Sequence, residues 1–396
     1  MLRLRKIGRL FTGTDQRVVS GAALILDRGR IRWAGRQGAE PRELMRSVTD
    51  EHDCGGGLVT AGLVDAHTHP LYAGNRMAEV AMRTAGAGYQ EIAQAGGGIV
   101  ATVRATRAAA PRALESATAA RLKRWFAGGA TTVETKTGYF LNRAGEIYSA
   151  EALARLSRRK DLPSLEVTFL GAHALPPDRG RSLDDYADEV ARWSKGARKA
   201  GARFCDVFCD QGYFTVDQSR RIFVSAQAAG LIPRLHADEL ARTGGSQLAA
   251  ELGAASADHL LCANDDDARA LAREGVVATL APVTALSMGR LPPVKQLQQA
   301  GAVIALGTDH NPGTSGLTSM SAVIALAISV FKMSVEQALM AATAGGAKSL
   351  RLDDRGRVEV GLRADLVLWD ADHEGAFAWA FGLAPRQVWK GGVPVA

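Results

Sequence analysis

The sequence predicts an α/β fold: a TIM-type (β/α)8 barrel joined to a small β-sandwich formed by the N- and C-terminal segments. Three observations predict it. Eight short, apolar, β-rich runs recur through the middle of the 396-residue chain, with segments of helical periodicity between them. Both ends carry strand-like runs punctuated by glycine. The reactive side chains, mostly histidines, fall just after the apolar runs, where the chemistry of a β/α barrel sits.

The first 58 residues read as short strands: Ala22 to Leu26 is apolar, Asp27-Arg28-Gly29 is a turn, and Ile31 to Ala34 resumes with β-formers. The last 45 or so residues read the same way, with strand-like Arg357 to Val360, Ala364 to Trp369 and Gln387 to Trp389 between Gly361, Gly391 and Gly392. Residues 1–58 and 351–396 are therefore expected to pair into one β-domain, and 59–350 to form the barrel. The eight barrel runs are Leu63 to Ala66, Thr131 to Val133, Val167 to Leu170, Asp206 to Phe208, Leu231 to Leu235, Ala254 to Ala257, Val276 to Leu280 and Val303 to Leu306. Ala113 to Phe126, Asp184 to Lys199 and Asp217 to Ala229 have helical spacing. Repeated β-α units imply a parallel sheet, and eight of them a closed one.

Composition narrows the class. Apolar residues make up 47% and charged residues 22%, ordinary for a soluble globular protein. The net charge is 48 − 41 = +7. Its densest cluster, Arg155 with Arg158, Arg159 and Lys160, has the look of a helix end, where cations suit the dipole. Without a long basic run or interleaved aromatics, the charge argues for drawing in a small anionic substrate and against a nucleic-acid partner. Cys54, Cys205, Cys209 and Cys262 form no CxxC pair and no disulfide framework. Met1 to Arg9 lacks the apolar stretch of a secretory signal, and no run of about 18 apolar residues spans a membrane. A cytoplasmic protein is expected, and a homodimer on base rates.

The strongest motif is Asp65-Ala66-His67-Thr68-His69-Pro70. Two histidines at i and i+2 on a strand project to one face, so at a barrel mouth both imidazoles can meet one ion. His236 follows the fifth run and is assigned as the third ligand. Asp309 follows the eighth and is the fourth protein group near the metal; such an Asp could instead cap the next helix. A divalent ion lowers the pKa of bound water from 15.7 toward about 7, and Asp309 is placed to accept its proton. His259, at the sixth run, is read as an orienting or electrophilic partner and not a permanent ligand, against the alternative of a structural hydrogen bond between strands. Glu239 is read as exchanging a proton with a ring nitrogen of the substrate, or as a solvated acid in the first turn of the following helix. His173 follows the third run.

These motifs carry a family resemblance. Gly62-Leu63-Val64-Asp65-Ala66-His67-Thr68-His69 resembles the first strand of the amidohydrolase superfamily, and Gly361-Leu362-Arg363-Ala364-Asp365-Leu366-Val367 its composite β-domain. Gly74-Asn75-Arg76, Ala95-Gly96-Gly97-Gly98-Ile99, Thr135-Lys136-Thr137-Gly138-Tyr139, Phe169-Leu170-Gly171-Ala172-His173, His236-Ala237-Asp238-Glu239, Asp258-His259 and Thr308-Asp309-His310-Asn311-Pro312-Gly313-Thr314, in this order, narrow the resemblance to the imidazolonepropionases. It covers about Gly55 to the C-terminus.

The resemblance implies ring-opening hydrolysis of 4-imidazolone-5-propanoate to N-formimidoyl-L-glutamate in histidine degradation, with one zinc or iron ion per subunit. The implied ligands are His67, His69, His236 and Asp309. Arg76 would hold the substrate carboxylate, a task suited to the guanidinium fork. Tyr139, His173, Glu239, Asn311, Gly313 and Thr314 would line the pocket, with Tyr89 a further candidate. A deaminase or amidohydrolase acting on another small heterocycle is the alternative; a neutral base would need no Arg76.

Lys136 is a test case. Some amidohydrolases bridge two metals with a carboxylated lysine at the end of the fourth strand. Lys136 ends the second, and the fourth ends near Cys209, so one metal is expected. Phe140 and Gly316-Leu317 depart from the family pattern beside the expected pocket.

Overall fold

The computed structural model describes residues 1–14, 18–86, 91, 95–177 and 182–395. The chain begins in a sheet of strands β1 (Leu2–Phe11), β2 (Val18–Asp27), β3 (Arg30–Arg36), β4 (Asp50–Asp53) and β5 (Leu58–Ala61). In β1, Leu4, Ile7, Leu10 and Phe11 are buried while Lys6 turns outward. The β2–β3 hairpin turns on Arg28 and Gly29, with φ of +47° and +78°. Positive φ at both central residues is what a tight turn matched to strand twist needs, and glycine supplies one of them freely.

The barrel strands are β6 (Leu63–Asp65), β7 (Ala130–Lys136), β8 (Ser164–Ala172), β9 (Phe204–Cys209), β10 (Ile232–Ala237), β11 (Ser256–His259), β12 (Val277–Leu280) and β13 (Ile304–Leu306). Each coincides with one of the eight runs. They pair in parallel, in sequence order, from β6 to β13. All of β7, β9, β11, β12 and β13 is buried, which is why these strands read as continuous apolar runs and not as alternation. The circle closes past the strand ends: Ala66 N donates to Leu306 O at 3.2 Å, Asp309 N to His67 O at 3.0 Å and His69 N to His310 O at 2.8 Å. The closing residues are thus the reactive ones. Helices Pro111–Ala127, Leu183–Lys199 and Val216–Ala228 cover the three expected helical segments. Arg155 lies in the last turn of helix Arg143–Leu156, as its charge suggests.

After the barrel, β14 (Leu366–Trp369), β15 (Pro385–Lys390) and β16 (Val393–Pro394) return to the first sheet, whose order is β16-β15-β14-β5-β1-β2-β3 with β4 beside β1. Leu4, Leu24, Val59, Leu366 and Trp389 share its separate core. Two details differ from expectation. Leu58–Ala61 belongs to this terminal sheet, so the chain enters the barrel only at Leu63, past the expected boundary at 58. Arg357 to Val360 is not a strand; Val358 N reaches Thr12 O and Gly361 N reaches Ile31 O, but no ladder forms between these single bonds.

Candidate active site

His67 and His69 stand just beyond β6 and point the same way. Their Nε2 atoms are 3.2 Å apart, and Asp309 Oδ1, from beyond β13, lies 3.5 Å from the first and 3.4 Å from the second. All three side chains are buried. A tetrahedron with metal–donor bonds of 2.0–2.1 Å has edges of about 3.3 Å. The triangle therefore has the size of one face of a divalent-metal site, and its chemistry, two imidazoles and a carboxylate, suits zinc or iron. His236 joins from the end of β10, its ring centre 4.6 Å from that of His67 and 5.4 Å from that of His69. His259 is as near: the donor atoms of His67, His236 and His259 lie within 4.8 Å of one another. The four expected ligands and their expected partner thus occupy one cluster.

The electrostatics fit this use. Burial, reinforced by the charges of Lys136, His236 and His259, holds His67 well below its usual pKa. Burial also lowers His69 and His173. Neutral imidazoles are what a metal binds; burial opposes charge on His236 as well, but Asp206 outweighs it and raises that pKa. Burial opposes charge on Asp309, but the His69 hydrogen bond and the surrounding imidazoles outweigh it and keep the carboxylate ionised far into acid. Glu239 goes the other way: burial raises its pKa against the pull of His259 and His236. Its Oε2 is 3.8 Å from His259 Nε2.

The backbone is strained at the same place. Asp238, His259 and Asp309, each at the C-terminal end of a barrel strand, have φ of +50°, +74° and +47°. Each such residue costs on the order of 1–3 kcal/mol and persists only where its surroundings enforce it. Asp238 is held by accepting from Thr243 N, Gly244 N and Ser246 N. Asp210 accepts from Glu239 N, Leu240 N and Ala241 N, which fixes the loop that carries Glu239.

Arg76 donates from Nε to both oxygens of Glu79, at 2.9 and 3.0 Å, and Glu79 also accepts from Gly98 N at 2.7 Å. The guanidinium lies against Gly313: a Cβ there would stand 2.5 Å from Arg76 Nη1, so glycine makes the room. Asn311 spends its amide on its own loop. Nδ2 donates to Asp309 O and Thr314 Oγ1, and Oδ1 accepts from Gly313 N and Thr314 N. It shapes the segment that presents Gly313 and Thr314. His173 stacks on His69, rings 5.2 Å apart and 20° from parallel, and Tyr139 abuts both. Tyr89 lies outside the described residues. A cavity of about 630 Å³ near the start of β13, lined by Met333, Met340, Lys348 and Arg351, is at the other end of that strand from Asp309 and takes no part in this cluster.

The model of the amidohydrolase family matches residues 70–396. The imidazolonepropionase of Cupriavidus taiwanensis is 42% identical over 374 residues, 93% of this chain and 89% of that one. That of Methylobacterium sp. is 43% identical, covering 90% of this chain and 89% of its own. The chain belongs to the imidazolonepropionase branch of the amidohydrolase family. Solved structures agree on the fold of this amidohydrolase. Ochratoxinase of A. niger superposes with a TM-score of 0.73 at 18% identity over 99% of this chain and 95% of that one. Zinc-complexed atrazine chlorohydrolase of Arthrobacter aurescens does so with 0.74 at 19%, over 100% and 95%.

The two departures from the family pattern resolve differently. Phe140 packs over Gly145 and against Tyr148, rings 6.0 Å apart. Leu317 reaches the site through its backbone, its carbonyl accepting from His310 Nδ1 at 3.1 Å. Sequence reading missed the layer beneath the ligands. Asp258 accepts from His67 Nδ1 at 2.7 Å, Asp206 Oδ2 lies 3.0 Å from His236 Nδ1, and Thr284 donates its hydroxyl to Asp309. Asp65 accepts from Trp125 Nε1 at 2.7 Å and from Thr308 N at 2.9 Å, tying β6 to β13. A signal was present: Asp206 opens one apolar run and Asp258 directly follows another, and a buried charge needs a partner.

Proposed function

We propose that this chain hydrolyses 4-imidazolone-5-propanoate to N-formimidoyl-L-glutamate, using one zinc or iron ion held by His67, His69, His236 and Asp309. The observation that carries the reading is the metal-sized triangle of His67, His69 and Asp309, with Arg76 packed against Gly313 on the loop that follows Asp309. When bound, a divalent ion would supply a water of lowered pKa and a Lewis-acidic pole for the ring carbonyl oxygen.

The side chains then have distinct tasks. The propanoate docks on Arg76, whose Nε side is fixed by Glu79 so that the rest of the fork is pre-aimed. Asp309, anionic and kept so by its imidazole neighbours, accepts the proton of the attacking water. The water oxygen bonds to the ring carbonyl carbon, and His259 donates toward the oxyanion. The ring C–N bond breaks as Glu239, whose pKa burial raises, gives a proton to the leaving nitrogen. His173 and Tyr139 wall the ring. Gly313 and Thr314, shaped by Asn311, complete the carboxylate end. A small anionic substrate, a cytoplasmic setting and a homodimer belong to the same proposal. It draws on the chain's composition, on the absence among the described residues of any helix long and apolar enough to cross a membrane, and on base rates.

The test is direct. Purified zinc-loaded protein is mixed with freshly made 4-imidazolone-5-propanoate, and loss of the ring absorbance is followed with spontaneous decay subtracted. Rapid, chelator-sensitive loss with formimidoylglutamate as product is expected. No acceleration by folded, metal-loaded protein overturns the substrate assignment.

A further inference from the structure

Lys136 is fully buried at the end of β7, beneath the histidines, and no step above uses it. Its Nζ lies 2.8 Å from Asp206 Oδ2, 2.9 Å from Glu134 Oε1 and 3.7 Å from Asp258 Oδ2. Each of these carboxylates touches a residue of the metal cluster or the segment that carries it. Asp206 faces His236 Nδ1, Asp258 holds His67 Nδ1, and Glu134 Oε2 accepts from the backbone N of Thr68, the residue between the two β6 histidines, at 3.0 Å. Arg234 Nη2 supplies the second cation, 3.2 Å from Asp258 and 2.7 Å from Ala66 O. The register makes this possible: Arg234 pairs with Asp206 across β9–β10, and His236 with Asp258 across β10–β11.

We propose that Lys136 is a positioning residue for the metal: as an ammonium it holds together the carboxylates that orient His67 and His236, and so sets the affinity of the site. Two other readings of a buried strand-end lysine fail on the geometry. A carboxylated lysine would place an anion between Asp206 and Glu134, and a nucleophilic one would need a free amine, yet both carboxylates are within ion-pair distance of Nζ. Burial alone would discharge the amine; Asp206 and Glu134 outweigh it and raise its pKa. Without Lys136, three carboxylates share the one guanidinium of Arg234, and Asp206 and Asp258 lose their fixed aim. Removing such outer partners weakens metal binding by about 10–100-fold.

The inference rests on the metal reading above, and the experiment separates the two. Zinc affinity is measured by chelator competition for the wild type, Lys136→Met, Asp206→Asn and the double variant, with far-UV circular dichroism as the folding check. Cobalt-loaded samples report ligand geometry through their visible absorption. The double variant removes one charge of each sign, so it keeps the test alive should Lys136→Met not fold. Expected are a loss of about 10–100-fold in Lys136→Met, an altered cobalt spectrum, and a double variant that loses clearly less than the product of the two single losses, because Lys136 acts in part through Asp206. Unchanged affinity and spectrum in folded Lys136→Met, or losses that multiply in the double variant, overturn the proposal. A wild type that binds no divalent ion removes the metal reading and this proposal with it.

Discussion

At the scale of single residues, the site divides into groups whose consequences differ. Asp309→Asn keeps the shape but cannot accept a proton, and turnover should fall by about 10²–10⁴-fold with circular dichroism unchanged. Near-normal turnover would remove Asp309 from the base role. Arg76→Ala should leave kcat within a few-fold and raise KM about 10–100-fold, since a charged hydrogen bond to substrate is lost in ground and transition states alike. Glu239 titrates above the ordinary carboxylate range because it is buried. If it donates the proton, activity falls as pH rises through that raised pKa, and Glu239→Gln should lose this alkaline limb; a limb that persists in the variant belongs to another group. His67, His69, His236 and Asp309 were legible in the sequence because the reactive residues of a β/α barrel stand at strand ends, and Arg76 through the family resemblance. Asp206 and Asp258 were not, since a carboxylate inside a strand shows its purpose only once the neighbouring strand is in register, nor was Thr284, whose helix Pro282–Met288 meets Asp309 only in the fold.

At the scale of elements, the barrel strands could be read because a parallel strand buried on both faces is written as an unbroken apolar run. The terminal sheet was harder. Arg357 to Val360 has strand-like residues, yet it meets its neighbours through isolated hydrogen bonds only, and local composition does not say whether a partner ladder will be there. The helical end of the barrel hides another constraint. The π-helical turn Ala341–Gly345 sets Gly345 against β13, where a Cβ would stand 2.1 Å from Ile304 O. Its φ of −62° suits any residue, so the need for glycine is purely steric. Gly345→Ala should therefore push the helix off β13 and cost about 1–3 kcal/mol, read as a lower Tm. An unchanged Tm would mean that this packing yields freely. Since β13 leads to Asp309, weaker metal retention should accompany the loss.

At the scale of the whole molecule, the two ends of the chain must meet before the terminal sheet exists, and polar ties across that seam mark its closure. Arg9 in β1 donates from Nε to Glu374 Oε2 at 2.6 Å, with a second contact from Nη2 to Oε1, across 365 residues of sequence. Burial would raise the Glu374 pKa, but the Arg9 hydrogen bonds outweigh it and lower it. A depressed carboxylate pKa contributes stability that is fully present above the unfolded glutamate value of about 4.3 and is lost as pH falls through the lower folded value. Arg9 is partly exposed, so the pair is screened and worth about 1 kcal/mol. Glu374→Gln should accordingly lower Tm slightly at pH 7, with the difference from wild type shrinking below about pH 4.3, while ring-opening activity is retained. A Tm difference that stays constant through acid would mean the effect of the substitution is packing and not the ion pair. A loss of activity at full stability would mean that the terminal sheet reaches the active site, a coupling that runs from Glu374 through β1 and β5 to the histidines that follow β6.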